Sequence, residues 1–175
     1  MSNAASGRQV TAARAFAACG GVVLVAEGWV FATGAHTATD VLLLVGVVLV
    51  TLAFGIVHTL QWDGLGRLGK LAASAVILGG IGQIVAIAAG LMFKPLTWLH
   101  GAGFVVSGLG LITYGVLVLR AGVFSRAVAV AFIVLPVLPL LVAELARAAV
   151  AVEGTTIVTG LLWIGIAIML PRSAD

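Results

Sequence analysis

Between residues 15 and 170 the sequence divides into six apolar stretches, at 15–34, 41–60, 71–93, 98–119, 127–150 and 155–170. Each is close to the roughly 20 residues that a helix needs to cross a bilayer. No other feature constrains the fold as strongly. In lipid a backbone must satisfy its own hydrogen bonds, and helix is the open-ended structure that does so. The expected architecture is therefore all-α, an integral membrane bundle of six transmembrane helices. A soluble bundle would need a polar face on each helix, and these stretches carry none. Composition agrees: 62% of residues are hydrophobic and 9% charged, against a soluble average of roughly 25% charged. With 175 residues, mostly in spans, a single transmembrane domain over 1–175 is expected.

The connections are short and turn-rich, as in "GAHTATD", "QWDGLGRLGK", "KPLT", "RAGVFS" and "VEGT". Their basic residues set the orientation, because cytoplasmic loops collect Lys and Arg. Seven of the nine basic residues (Arg8, Arg14, Arg67, Lys70, Arg120, Arg126 and Arg172) fall on one side, and Lys94 and Arg147 on the other. Six spans then put both termini in the cytoplasm. Trp29 and Trp98 fall near the outer boundary and Trp62 near the inner one, where amphipathic rings anchor helices, while Trp163 falls mid-span and reads as core. The apolar run after Arg14 is too long for the roughly 7–15 residues of a signal-peptide core, so it reads as a retained first helix. The last span is the shortest. Thr155 and Thr156 are candidate caps for its start, and Pro171 ends it.

Small residues predict how the helices meet. Gly82, Ala86 and Gly90 on the third span, with Gly103 and Ser107 on the fourth, permit close backbone approach and predict a tight central hairpin. Pro136 and Pro139 remove two intrahelical hydrogen bonds and predict a kink in the fifth span.

Candidate site residues are the polar groups that the threading places at membrane depth. Glu27 lies in "LVAEGW", 13 residues beyond Arg14, and Gln83 lies 13 beyond Lys70 on a helix running the same way; both are about 20 Å along. Glu144, in the similar "LVAELA", lies toward the outer end of its span, with Arg147 about one turn on, and His100 enters just inside the outer boundary. Glu27, Gln83, His100, Glu144 and Arg147 therefore share the outer half of the membrane. A carboxylate at that depth costs several kcal/mol if charged, so it should face the interior and be neutralised by a proton or a partner. A structural polar clasp, with Arg147 or His100 beside Glu27, is one reading. A ligand, ion or proton site in an outward-facing pocket is the other. His58, with Gln61 and Trp62 at one-turn spacing, and Tyr114 read as inner interfacial residues.

Several chemistries find no support. One cysteine, Cys19, gives no disulfide, no CxxC pair and no thiolate metal site, and reads as a small packing residue. His58 and His100 fall at opposite faces, against a bis-histidine haem. No span carries the Lys of a retinal protein, "HExxH" is missing, Ser74 and Ser107 lack a nucleophile context, and no phosphate loop occurs. No cofactor or metal is expected, and an enzyme is the less favoured class. The pI near 9.8 does not indicate nucleic acid, because the basic residues are scattered.

The stretch "LITYGVLVLRAGVFSRAVAVAF", residues 111–132, resembles the "LLRxGxxPR" hairpin turn of uncharacterised multi-pass proteins of high-GC bacteria, with Ser125 in place of the Pro. The resemblance implies a bacterial inner (plasma) membrane and no particular activity. The expected function is binding or transport of a small molecule, ion or proton through the outward pocket. The alternative is a non-catalytic accessory or scaffold subunit that engages a partner membrane protein or a second copy of the chain.

Overall fold

The computed structural model describes residues 3–31, 36–60, 64–139, 141 and 151–170. Six helices make up the described fold: α1 (Asn3–Phe31), α2 (His36–Thr59), α3 (Gly66–Met92), α4 (Thr97–Ala121), α5 (Arg126–Val134) and α6 (Ala151–Met169). Four segments, Gly7–Phe31, Ala38–Thr59, Gly66–Met92 and Thr97–Ala121, are long and apolar enough to cross a membrane, and Thr155–Met169 is a shorter apolar stretch. The chain is thus a helical membrane protein. Its surface agrees, since Leu68, Leu71, Leu78, Ile81, Val85 and Met92 follow helical spacing along α3 and all are exposed. In water such a stripe would be an aggregation liability; facing lipid, it is ordinary.

Local chemistry sets the helix ends. Gly122 adopts φ 65°, a left-handed cap that suits glycine, and its N–H reaches Val118 O at 3.0 Å. Three residues on, Ser125 Oγ accepts from Val128 N–H at 3.4 Å and starts α5. A serine cap thus stands where the resembling turn has proline. Pro136 and Pro139 cannot donate to Phe132 O and Leu135 O, so α5 stops at Val134 and gives way to a turn over 135–137. The helix is interrupted where the two prolines predicted a kink in the fifth span. Two boundaries differ from expectation. α6 starts at Ala151, so Thr155 and Thr156 lie inside it and are not caps, and His36 is the first residue of α2 rather than part of a loop.

Each helix packs on its neighbours in the chain, and α6 closes on α1, so the six form a ring. The most extensive pairings are α1 with α2, α3 with α4, and α1 with α6. Two seams rest on reciprocal glycines. A Cβ on Gly79 would stand 2.5 Å from Gly103 O, and one on Gly103 would stand 2.6 Å from Gly79 O. Gly21 and Gly160 oppose each other in the same way across α1 and α6, at 2.6 and 2.5 Å. At these points any side chain would push two backbones apart. The α3–α4 hairpin is tight as expected, but in a different register and on the rim of a ring rather than at its centre. Gly90 finds Pro95 no nearer than 3.8 Å, and a Cβ on Gly82 would meet Gly103 Cα at an ordinary 3.7 Å.

One tie between α1 and α6 follows from the sequence chemistry of the chain end. Pro171 has no N–H to give Ala167 O, four residues before it. Arg14 Nε donates to that oxygen at 3.0 Å, a contact between residues 153 apart in sequence. A cation is also well placed against the negative end of a helix.

Candidate functional site

The antiparallel ring has two ends of different character. At the end formed by the N-terminal part of α1 and the later part of α4, rings fill the interior. Phe54 meets Tyr114 edge-on at 4.9 Å and Phe132 at 5.8 Å, Tyr114 and Phe132 stand 5.8 Å apart, and Trp163 lies 6.4 Å from Phe132. His58 joins this group at 5.7 Å from Tyr114, and Tyr114 and Phe54 are wholly buried. The interfacial reading of His58 and Tyr114 is therefore corrected: both pack in the aromatic core, because the face of α2 and α4 that carries them turns inward. Trp163 is core, as expected.

Toward the other end the ring is hollow. A cavity of about 280 Å³ is lined from α1, α2, α3, α4 and α6 and from the segment that follows α5. Glu27 on α1, Gln83 on α3 and His100 on α4 all line it, so three of the five expected site residues share one space. Glu27 is 5% exposed, a carboxylate held inside the bundle as its depth required. Glu144 and Arg147 lie outside the described residues, as do Gln61, Trp62 and most of the second half of the expected fifth span.

The polar lining extends beyond the expected set. Thr51, Ser107, Thr155, Thr156 and Thr159 also face the cavity. Gln83 Nε2 donates to Ser107 Oγ at 3.1 Å, and Ser107 Oγ donates to Phe104 O at 3.1 Å. Gln83 is thus fixed from α4 and is clasped to a serine. Thr159 Oγ1 donates to Thr155 O at 2.7 Å on its own helix. Such hydroxyls are easily overlooked in sequence, since Ser and Thr in helices usually satisfy themselves on a preceding carbonyl. Their shared depth with Gln83 and Glu27 was the available signal.

Apolar groups make up the rest of the wall, among them Leu24, Val47, Phe54, Phe104, Leu111 and Trp163, with both Pro136 and Pro139. The helix break after α5 therefore contributes directly to the cavity. Glycine shapes it as well: Gly80 lets Thr51 approach to 2.6 Å from where a Cβ would stand. Cys19 takes no part and is exposed on α1, which corrects its reading as a packing residue. Among the described residues no three His, Cys, Asp or Glu side chains gather to hold a metal.

A space of this kind, mostly apolar with a few convergent polar groups, is the usual form of a small-molecule site, though at the lower end of the common ~300–1,000 Å³ range. Comparison with known proteins adds no relative: no family model matches, and neither the curated proteins nor the solved structures contain a match.

Proposed function

We propose that the chain is a single-domain, six-span bundle of the bacterial plasma membrane that binds or transports a small molecule through the cavity at Glu27, Gln83 and His100. The observation that carries this reading is the shared lining: five helices and the segment after α5 contribute to one space, and a buried carboxylate faces it. Ionisable groups at membrane depth are expensive and are kept mainly where they serve a site or a partner. Glu144 and Arg147 belong to the same proposed site through their depth in the sequence. The nineteen residues of α6 extend about 28 Å, enough to span the ~30 Å hydrocarbon core with little tilt. The basic-residue bias puts both termini in the cytoplasm and opens the cavity end outward. The bacterial setting rests on the resemblance of residues 111–132.

Native mass spectrometry of gently extracted protein tests the reading. The wild-type chain should carry a small-molecule adduct, and Val47→Phe, which places a ring in the cavity wall, should lose it while keeping its thermal stability. An adduct equal in both proteins, or absent from both, contradicts the proposal. A stoichiometric partner protein without any small molecule would support the accessory-subunit function in its place.

A further inference from the structure

We infer that the cavity is filled from the side, by a lipophilic molecule dissolved in the bilayer interior that enters between α2 and α3 past Thr51. This rests on the cavity being a ligand site, and it names the class of ligand and its route.

Thr51 lines two spaces. One is the cavity; the other is a groove of about 370 Å³ between α2 and α3. Its walls are aliphatic, with Val48, Leu52 and Ile56 from α2 and Ile77, Ile81 and Ile84 from α3. Leu52 and Ile81 are 48% and 46% exposed, so the groove lies on the outer face of the ring and opens to lipid.

The seam that separates the two spaces is closed by a side chain. Where α3 meets α4 and where α1 meets α6, glycine stands against backbone oxygen. Between α2 and α3, a Cβ on Gly80 would meet only Thr51, with Oγ1 at 2.6 Å, Cγ2 at 3.0 Å and Cβ at 3.4 Å. A threonine in a helix divides itself between two χ1 rotamers, so it moves aside more readily than two touching backbones part. The helices also pair less extensively here than α1 with α2 or α3 with α4.

Depth and chemistry identify what arrives. The apolar segments that start at Ala38 and Gly66 have 22 and 27 residues, about 33 and 40 Å of helix. Thr51 and Gly80 lie about 20 Å along them, near the middle of each. At that depth a bilayer offers acyl chains and whatever dissolves in them. The groove presents hydrocarbon to such a molecule, because its second hydroxyl, on Thr59, donates to Ile56 O at 2.7 Å. A charged group would be expensive to bring there. Beyond Thr51, Leu24, Val47 and Leu111 continue the apolar surface inside the cavity. A helix from a second copy could cover the groove, but at about 10 Å across it is too wide to pass between α2 and α3. The wall shared at Thr51 therefore favours the smaller occupant.

The test uses the full chain in lipid nanodiscs with fluorobenzene, a neutral lipophile, as the probe. Fluorine saturation-transfer NMR reads its affinity and its rate of exchange, with empty nanodiscs as the blank. Saturable binding that Val47→Phe abolishes places the probe in the cavity. A Cβ on Gly55 would meet nothing within 4 Å, so Gly55→Leu fills the groove without touching the cavity. It should slow exchange at least about tenfold and leave affinity within about twofold, since the bound state is unchanged. Ile81→Ala widens the groove and should speed exchange about threefold, which keeps the route testable where Gly55→Leu fails to fold. The cation para-fluorobenzylammonium, kept out of hydrocarbon by its charge, should exchange at least about tenfold more slowly than fluorobenzene or not bind. Fluorobenzene exchange unchanged in both groove variants overturns the lateral route and leaves the cavity as a ligand site; if Gly55→Leu also splits a dimer in native mass spectrometry, the groove is an interface between copies instead. A cation that exchanges as fast as fluorobenzene overturns the lipophile class. Fluorobenzene that fails to bind saturably, or binds equally in Val47→Phe, overturns the inference as well, and the wild-type adduct in native mass spectrometry then decides the cavity reading separately.

Discussion

The two ends of the helix ring share α1, α2, α3, α4 and α6 and are alike in apolar composition, yet one is filled with interlocking rings and the other encloses a cavity. Around Tyr114 the rings of Phe54, Phe132 and Trp163 meet edge to face. Around Gln83 glycine, serine, threonine and valine share the wall with Leu24, Phe104 and Leu111, and a cavity of about 280 Å³ lies between them. Helix spacing does not explain the contrast, because the seam at Gly79 and Gly103 is as close as backbones allow and borders the open end. Side-chain arrangement decides it: Phe54 and Trp163 interlock with other rings at one end and wall the cavity at the other. A membrane bundle gains little from the hydrophobic effect between its helices and holds mainly through packing, so an unfilled interior is a sacrifice of stability.

The contrast is sharpened most by emptying the packed end. Phe132→Ala should lower unfolding free energy by about 3–5 kcal/mol, as for other buried aromatic truncations, measured by titration from mild to denaturing detergent. The matching change at the open end is Val47→Phe, which adds volume; it should cost less than the ~1–3 kcal/mol of overpacking a filled core. An equal loss in the two variants would erase the distinction between the ends.

Next in size are the contacts that hold the ring. Gly103→Val places carbon against Gly79 O and Gln83 N, both backbone atoms. The helices must separate, so a loss near 3 kcal/mol is expected, the upper end for overpacking. Arg14→Ala should cost roughly 1.5 kcal/mol by orphaning Ala167 O; Arg14→Lys should recover part of it, and thermal melts in one detergent give both values. Gly90→Ala is the smallest change. It meets only Pro95 at ordinary contact distance, so the melt should stay level or rise by about 0.5 kcal/mol through reduced freedom of the unfolded chain.

Much of this architecture was legible in the sequence. Helices α2, α3 and α4 begin and end within a few residues of the apolar stretches, because length and polarity are written directly in the chain. The proline break after Val134 was legible too, since a missing N–H acts locally. Glu27, Gln83 and His100 were brought together from depth alone, and they do line one cavity. What escaped was rotation about the helix axis. In "GGIGQ", residues 79–83, three glycines offer three faces to a partner; spacing favours Gly82 and Gly90, while the antiparallel fit to α4 selects Gly79. The same ambiguity misplaced His58 and Tyr114, whose depth was right and whose inward direction was not. The Arg14 tie to Ala167 O joins the two ends of the chain, a distance over which local pattern carries no signal.

An experimental structure of the protein in lipid, at a resolution that shows side chains, tests the central claim most directly. The account predicts density for a bound small molecule between Glu27, Gln83 and His100, with the rings of Phe54, Tyr114 and Phe132 packed against one another at the other end. A bundle whose α1, α3 and α4 side chains close over that space, leaving no cavity beside Glu27, would contradict it.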